Sequence, residues 1–258
     1  MGADGLDKAQ MLAVAKEVGF SETAFICKSS RATQRLRFFT PTNEVDLCGH
    51  ATIASWAFMK QRDRISEGIA VQETLAGLLK VDVRTDGLIY MEQTESRFFE
   101  TVEPSSIKSI LGITENDFHE TLRPQVVSTG LKDLIVILRS EAVLNDLVPD
   151  LEAVKNFSRE HDISGMHIVC LLDGQASIAS ARNFAPLDGI DEESATGTSN
   201  GALLCYLKKH AALPAQDEYR IEQGKAMGQT SYIYGKFIEE TVWIGGKATV
   251  LEQVEVTA

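Results

Sequence analysis

One pattern occurs twice in this chain, and it constrains the fold more than any other feature. In the first copy Arg35 to Phe39 is strand-like and Pro41 stops it. Thr42-Asn43-Glu44-Val45-Asp46-Leu47-Cys48-Gly49-His50 then leads through a glycine into the apolar, helix-compatible run Ala51 to Met59. In the second copy Ala181-Arg182-Asn183-Phe184-Ala185-Pro186 again ends a strand at a proline. Asp191-Glu192-Glu193-Ser194-Ala195-Thr196-Gly197-Thr198-Ser199-Asn200-Gly201 again leads through glycine into an apolar helix, Ala202 to Leu207. Each copy predicts a helix that starts at its glycine, near Gly49 and near Gly197. The first N–H groups of a helix lack intrahelical acceptors and carry the positive end of its dipole, so each start suits a carboxylate or phosphate. A single copy reads equally well as an ordinary strand-to-helix corner. Two copies predict a doubled unit whose helix ends face each other across a cleft and hold a small anionic molecule.

A chain of 258 residues accommodates two units of roughly 100 to 150 residues each. The expected division is a first half over residues 1–95 and a second over 96–258. The formal net charge of −12 argues against a nucleic-acid or anionic-membrane surface, because both need a basic face to replace counterions. Any anion must then be held locally, by helix ends and a few side chains. No apolar run approaches the roughly 18 to 20 residues that span a bilayer, and no signal peptide opens the chain. Cys27, Cys48, Cys170 and Cys205 fall in apolar or motif contexts without paired spacing, which fits a reduced, cytoplasmic protein. With no CxxC or HxxxH pair, a zinc or other metal site is not expected.

In chain order, Asp7 is the expected N-cap of a helix that carries Met11, Leu12, Val14, Ala15 and Val18 and ends at Gly19. Phe20 to Lys28 reads as a strand with Glu22 at its entry. Ile69 to Gln72, Leu79 to Val83 and Leu88 to Gln93 read as short strands separated by Ala76-Gly77 and the hairpin signal Asp86-Gly87. Thr94 to Pro104 is the expected crossover, followed by a helix from Ser105 to Leu111. Strands follow over Gln125 to Thr129 and Leu131 to Leu138. Leu144 to Glu160 is helical but interrupted at Pro149. Two strands joined at Asp173-Gly174 precede the second motif, and three more close the chain after it. Glu44 and Asp46 read as solvated turn charges, Trp56 and Trp243 as core, and His119, His161, His167 and His210 as structural or exposed.

Ser21-Glu22-Thr23-Ala24-Phe25, then Phe39-Thr40-Pro41 with Cys48-Gly49-His50-Ala51-Thr52, then Phe184-Ala185-Pro186 with Ala195-Thr196-Gly197-Thr198, and finally Glu222-Gln223-Gly224 with Gly228, run in order along nearly the whole chain. This set resembles the PhzF-like phenazine-biosynthesis family. The resemblance implies an α+β, diaminopimelate-epimerase-like fold: two similar halves, each a curled, mostly antiparallel sheet around a central helix, with the site between them. It also implies cofactor-independent isomerase or epimerase chemistry on a small carboxylated metabolite. By the same resemblance Glu22 matches the glutamate that acts as acid and base. Cys48, Gly49 and His50 match the first binding loop, and Gly197 and Thr198 the second. Glu193 falls where many members have aspartate. Related racemases instead use two cysteines; Cys48 matches the first, but the second position is Ser194, whose hydroxyl is far too weak an acid to partner a thiolate. Cys48 is then either a small packing residue or a reactive thiol at a helix start.

To take a carbon-bound proton, Glu22 is expected to have a pKa raised by partial burial. Family members usually begin with a strand and a Gly-Asn-Pro turn ahead of the first helix, whereas this chain opens almost at that helix. The first sheet is therefore expected to expose an edge and to favour an oligomer, a homodimer in the simplest case. The alternative to an isomerase is a catalytically silent small-anion-binding or scaffold protein that retains the fold.

Overall fold

The computed structural model describes residues 3–252. Two compact units emerge, Met1–Glu92 with Gly245–Ala258, and Gln93–Ile244. The first opens with α1 (Lys8–Val18), where the Asp7 side chain accepts from Gln10 N–H and the Gln10 side chain accepts from Asp7 N–H, a reciprocal capping box. Gly19 ends the helix at φ 72°, a left-handed turn that favours glycine. Met11 and Ala15 are the helix's buried residues, and they pack with Phe25, Cys27 and Phe39.

The unit's strands are β1 (Thr23–Cys27), β2 (Gln34–Phe39), β3 (Glu44–Val45), β4 (Gly68–Thr74), β5 (Gly77–Val83) and β6 (Ile89–Glu92). They run in the order β1-β2-β4-β5-β6, with β3 folded back on β2. The β2–β4 pair is parallel, because α2 (Gly49–Gln61) lies between them in sequence and carries the chain across. Trp56, Met59, Leu36, Phe38, Val81 and Ile89 form the core. Trp56 donates through Nε1 to Gln72 Oε1 at 3.0 Å, which satisfies both buried groups. The outer edge of β1 is partly occupied: Ala3 N–H donates to Ile26 O at 2.8 Å, and Asp4 Oδ1 accepts from Lys28 N–H at 2.6 Å.

The second unit contains β7 (Arg97–Thr101), α3 (Pro104–Leu111), β8 (Gln125–Ser128), β9 (Lys132–Leu138), α4 (Glu141–Asp146), α5 (Leu151–Glu160), β10 (Gly165–Leu171), β11 (Ala179–Ala185), β12 (Ile190–Glu193), α6 (Gly197–Lys209), β13 (Tyr219–Gln223), β14 (Ser231–Ile238) and, as far as Ile244, β15 (Thr241–Gly246). Its strand order is β15-β14-β13-β11-β10-β9-β8-β7, with β12 paired to β11. Within this unit β9–β10 and β11–β13 are parallel. The alternation along β9 shows how the layers form. Leu134, Val136 and Leu138 join a core with Ile107 and Leu111 of α3, Leu144 of α4, and Val154 and Phe157 of α5. Ile135 and Ile137 join the opposite core, built on α6. Ser199 through Leu207 of α6 are buried without a break, so this is a central helix with the sheet curled around it.

The helical stretch expected from Leu144 to Glu160 divides around Pro149 into α4 and α5, as the missing N–H of proline requires. The expected crossover contains a strand, β7, which pairs with β8 and whose Phe98 packs on the α6 core. Its flanking charges mask the strand pattern. Among the described residues no helix is long and apolar enough to cross a membrane.

Candidate functional site

The two glycine-led helices start alike. Cys48 is extended (φ −141°, ψ 118°) ahead of α2, and Thr196 is extended (φ −124°, ψ 109°) ahead of α6; each helix has 13 residues and neither start has a side-chain cap. The first intrahelical bonds are Thr52 N–H to Cys48 O at 3.0 Å and Asn200 N–H to Thr196 O at 3.3 Å. The amides before them are the orphan donors of each helix. Neither glycine is demanded by its own surroundings. A Cβ at Gly49 would have only Met91 Cε, at 3.9 Å, within reach, and one at Gly197 would meet Ile244 Cγ2 at 3.5 Å. Neither residue has positive φ.

In the first unit, the β1–β2 pair brings Glu22, at the entry to β1, beside the first turn of α2. Glu22 Oε2 lies 3.2 Å from His50 Nε2. Cys48 Sγ lies 3.7 Å from His50 Nδ1 and 3.6 Å from Nε2. Oε2 is buried and has no aligned hydrogen-bond donor, so its contact with His50 is a charge pair. His50 holds the Glu22 carboxyl below its ordinary value, against the opposing effect of burial and with help from Ser21. His50 itself is raised to about 10, first by Cys48 and then by Glu22, which together outweigh its burial. At neutral pH the pair is therefore carboxylate and imidazolium. This corrects the expectation of a raised Glu22 pKa: the imidazole contact is stronger than the desolvation. Glu22 and His50 border a cavity of about 470 Å³ whose walls include Ala24, Ile26, Ala54 and Phe58, a size suited to a small metabolite.

Glu44 is not a solvated turn charge. It accepts from Arg37 Nε at 2.7 Å and Nη2 at 2.9 Å, and Lys8 Nζ lies 3.1 Å away. Only 4% of its side chain is exposed. In the second unit Arg182 makes the same fork to Glu192. Glu44 and Glu192 each stand five residues ahead of a motif glycine. The matched Glu-to-Gly spacing is the sequence signal for this second element of the repeat.

In the second unit, Glu193 ends β12 and its Oε2 accepts from Thr196 Oγ1 at 2.8 Å. Gln223 donates through Nε2 to Thr196 Oγ1 at 3.0 Å and to Glu193 O at 2.7 Å. Thr196 has a hydroxyl able to cap α6, but Glu193 and Gln223 hold it away, which leaves the amides at Gly197 and Thr198 uncapped. Thr198 O in turn accepts from Thr129 Oγ1 at 3.0 Å. Beneath this loop a polar chain is buried. Asn200 Nδ2 donates to Thr196 O and to Gln223 Oε1, each at 2.7 Å. Those two acceptors fix the amide, so Asn200 Oδ1 must take the proton of His167 Nε2, 3.2 Å away. Burial lowers His167 to about 4, so the ring is neutral and Nδ1 carries no proton. Asn183 Oδ1, 3.1 Å from Nδ1, would face a bare lone pair there, so the amide is assigned turned over, with its NH₂ donating to Nδ1. Asp133, fully enclosed, accepts from Ser199 Oγ at 2.7 Å and is raised to about 6 by burial. Neither His167 nor Asp133 stood out in the sequence, because their partners are distant along it.

The structure thus gathers Glu22, Cys48, Gly49 and His50 in the first unit, and Glu193, Gly197 and Thr198 in the second. In the first cluster, ligand atoms of Glu22, Cys48 and His50 all lie within 4.8 Å of one another. This set lies outside the CxxC and HxxxH spacings, since it consists of one Cys-x-His pair and a distant glutamate.

The family model for Phenazine biosynthesis-like protein matches residues 1–254. The chain is 33% identical over 267 residues to the uncharacterized isomerase YddE of Escherichia coli K12, covering 98% of this chain and 90% of that protein. It is 28% identical over 260 residues to the trans-2,3-dihydro-3-hydroxyanthranilate isomerase of Pseudomonas fluorescens, covering 99% and 86%. A crystal structure of a PhzF-family phenazine biosynthesis protein from Bacillus anthracis superimposes with a TM-score of 0.87 at 28% identity, covering 100% of this chain and 91% of that one.

Proposed function

Because the chain belongs to the phenazine biosynthesis-like family, we propose that it is a cofactor-independent isomerase or epimerase that moves a proton between carbons of a small carboxylated metabolite, with Glu22 as the single acid and base. One observation carries this reading: the Glu22 carboxyl, 3.2 Å from His50, stands at the uncapped start of α2 and on the wall of a cavity. Each part has a task. His50 keeps the carboxylate ionised, so Glu22 begins as a base, takes the carbon-bound proton and returns it as an acid to another carbon on the same face. The amides ahead of the first intrahelical bond of α2 hold the substrate's carboxylate and stabilise the charge that develops as the proton leaves. Gly49 gives a ligand close access to those amides, which accounts for a glycine that the protein's own packing does not require. In the second unit, Glu193 and Gln223 keep the start of α6 open for an anion in the same way. A two-thiol mechanism is disfavoured by Ser194, and Cys48 serves the site as a neighbour of His50.

The compound named for the Pseudomonas relative is the first substrate to assay, with turnover and solvent-deuterium incorporation followed together. Glu22→Gln keeps the side chain's shape and removes the base. It is expected to bind substrate nearly as well while losing about 10² to 10⁴ in rate. Unchanged turnover in Glu22→Gln would overturn the assignment. Stoichiometric binding by the unaltered protein of a substrate that then undergoes no exchange would favour the silent binding protein instead.

A further inference from the structure

We propose that Cys48 Sγ, His50 and the Glu22 carboxylate also form a reversible site for a thiophilic divalent cation of the zinc class, and that its occupation takes Glu22 out of acid–base service. The binding half of this proposal stands on geometry alone. The inhibitory half rests on the reading of Glu22 given above.

The donor set is one thiol, one imidazole and one carboxylate, the mixture that zinc accepts and that magnesium and calcium, which prefer oxygen ligands only, do not. The spacing also fits. Bond lengths of about 2.3 Å to sulfur and about 2.0 to 2.1 Å to nitrogen and oxygen, at a tetrahedral angle, place bound sulfur and nitrogen about 3.6 Å apart and bound nitrogen and oxygen about 3.3 Å apart. Cys48 Sγ lies 3.6 Å from His50 Nε2, and Nε2 lies 3.2 Å from Glu22 Oε2. Among the described residues this is the one group of three or more Cys, His, Asp or Glu side chains arranged to hold a metal. The buried Oε2 has no aligned hydrogen-bond donor, so a cation that replaced the charge of His50 there would break no hydrogen bond.

Two adjustments accompany binding. The imidazole, whose side chain is 48% exposed, turns about its Cβ–Cγ bond until a nitrogen lone pair points between Sγ and Oε2. Ligands bind the cation in their deprotonated forms, so uptake releases acid. Three protein ligands leave a fourth position open toward the cavity, for water or an anionic group of a ligand. A carboxylate bound to the cation gives up much of its basicity to it and is a far poorer acceptor for a carbon-bound proton.

The test uses the full chain, reduced and freed of metal by a chelator, and needs no substrate for its first arm. Cobalt(II) is added as a spectroscopic probe, and zinc(II) is titrated in competition with a chromophoric chelator. One equivalent is expected to bind, with a thiolate-to-cobalt charge-transfer band that disappears in Cys48→Ser and in His50→Ala and persists in Cys170→Ala. Melting curves of each variant show that it is folded, and Glu22→Gln, which leaves sulfur and imidazole in place, is expected to retain the band but release zinc to the chelator more readily. Absence of the band in the folded, unaltered protein, or its persistence in Cys48→Ser, would overturn the site. In the second arm, equimolar zinc is expected to abolish turnover and a chelator to restore it. Stoichiometric binding without loss of turnover would overturn the inhibition, whereas unchanged turnover in Glu22→Gln would overturn the catalytic reading and leave the cation site standing.

Discussion

Arg182 grips Glu192 through two parallel hydrogen bonds, Nε to Oε1 at 2.8 Å and Nη2 to Oε2 at 2.7 Å. Its third nitrogen, Nη1, donates to Leu144 O at 3.1 Å and Leu147 O at 2.6 Å, closing the C-terminal end of α4. One nearly buried guanidinium therefore ties β11, β12 and α4 together just ahead of the helix start at Gly197. Arg182→Met would leave Glu192 unpaired and these carbonyls unsatisfied, at a cost of about 3 to 5 kcal/mol. In a chain of this length that corresponds to a fall of roughly 6 to 20 °C in Tm, and the double variant Arg182→Met with Glu192→Gln is expected to recover part of it. Thermal unfolding of the two variants checks both statements.

Gly49→Ala separates stability from binding. The added methyl has only Met91 Cε, at 3.9 Å, near it, and alanine is the better helix former by up to about 1 kcal/mol. Tm is expected to hold or rise, while KM for a carboxylated substrate increases because the methyl narrows access to the amides of the first turn. A variant that loses stability, or that binds as before, would contradict the role given to this glycine.

Asp133 makes stability depend on pH in a direction opposite to most carboxylates. Its pKa is raised from 3.8 to about 6 in the folded protein, so the folded state holds a proton that the unfolded state has released. Stability therefore falls as pH rises through this window, by about 3 kcal/mol in all at 1.36 kcal/mol per unit. Asp133→Asn removes the charge and keeps an acceptor for Ser199. Relative to the unaltered protein it is expected to gain Tm above about pH 6 and to lose that advantage near pH 4, which melting curves across the range would show.

What was legible in the sequence was local. Asp7, Gln10 and Gly19 bracket α1 through contacts within a turn or at its end, so the residue types alone announce it. Gly49 and Gly197 mark their helix starts for the same reason, and Pro149 marks the break between α4 and α5. What escaped depends on partners brought from far along the chain. Glu44 reads as a turn charge until β2 places Arg37 beside it. His167 reads as an ordinary strand residue until Asn183 and Asn200 arrive from two other elements. The motif pointed to Glu22 itself, but its ionisation state was set by His50, which reaches it from another element, and the sign of the shift came out opposite to the one burial alone would give. Local chemistry marks the candidate residues; the fold decides the charge that surrounds them.

The first unit is discontinuous in sequence, since the chain returns to it at Gly245 after completing the second. A Cβ at Gly245 would fall 2.6 Å from both Ile89 O and Tyr90 Cδ1, so only glycine lets the returning backbone lie so close; further on, Ala248 packs on the Trp56 core and its carbonyl accepts from Gln61 Nε2 at 3.3 Å. On the ribosome, domains generally form in the order in which they emerge. The second unit has all of its residues in hand before the first does: the amino-terminal segment, with Glu22 and His50 already synthesised, gains the contacts of Gly245 and Ala248 only when the last stretch of polypeptide arrives.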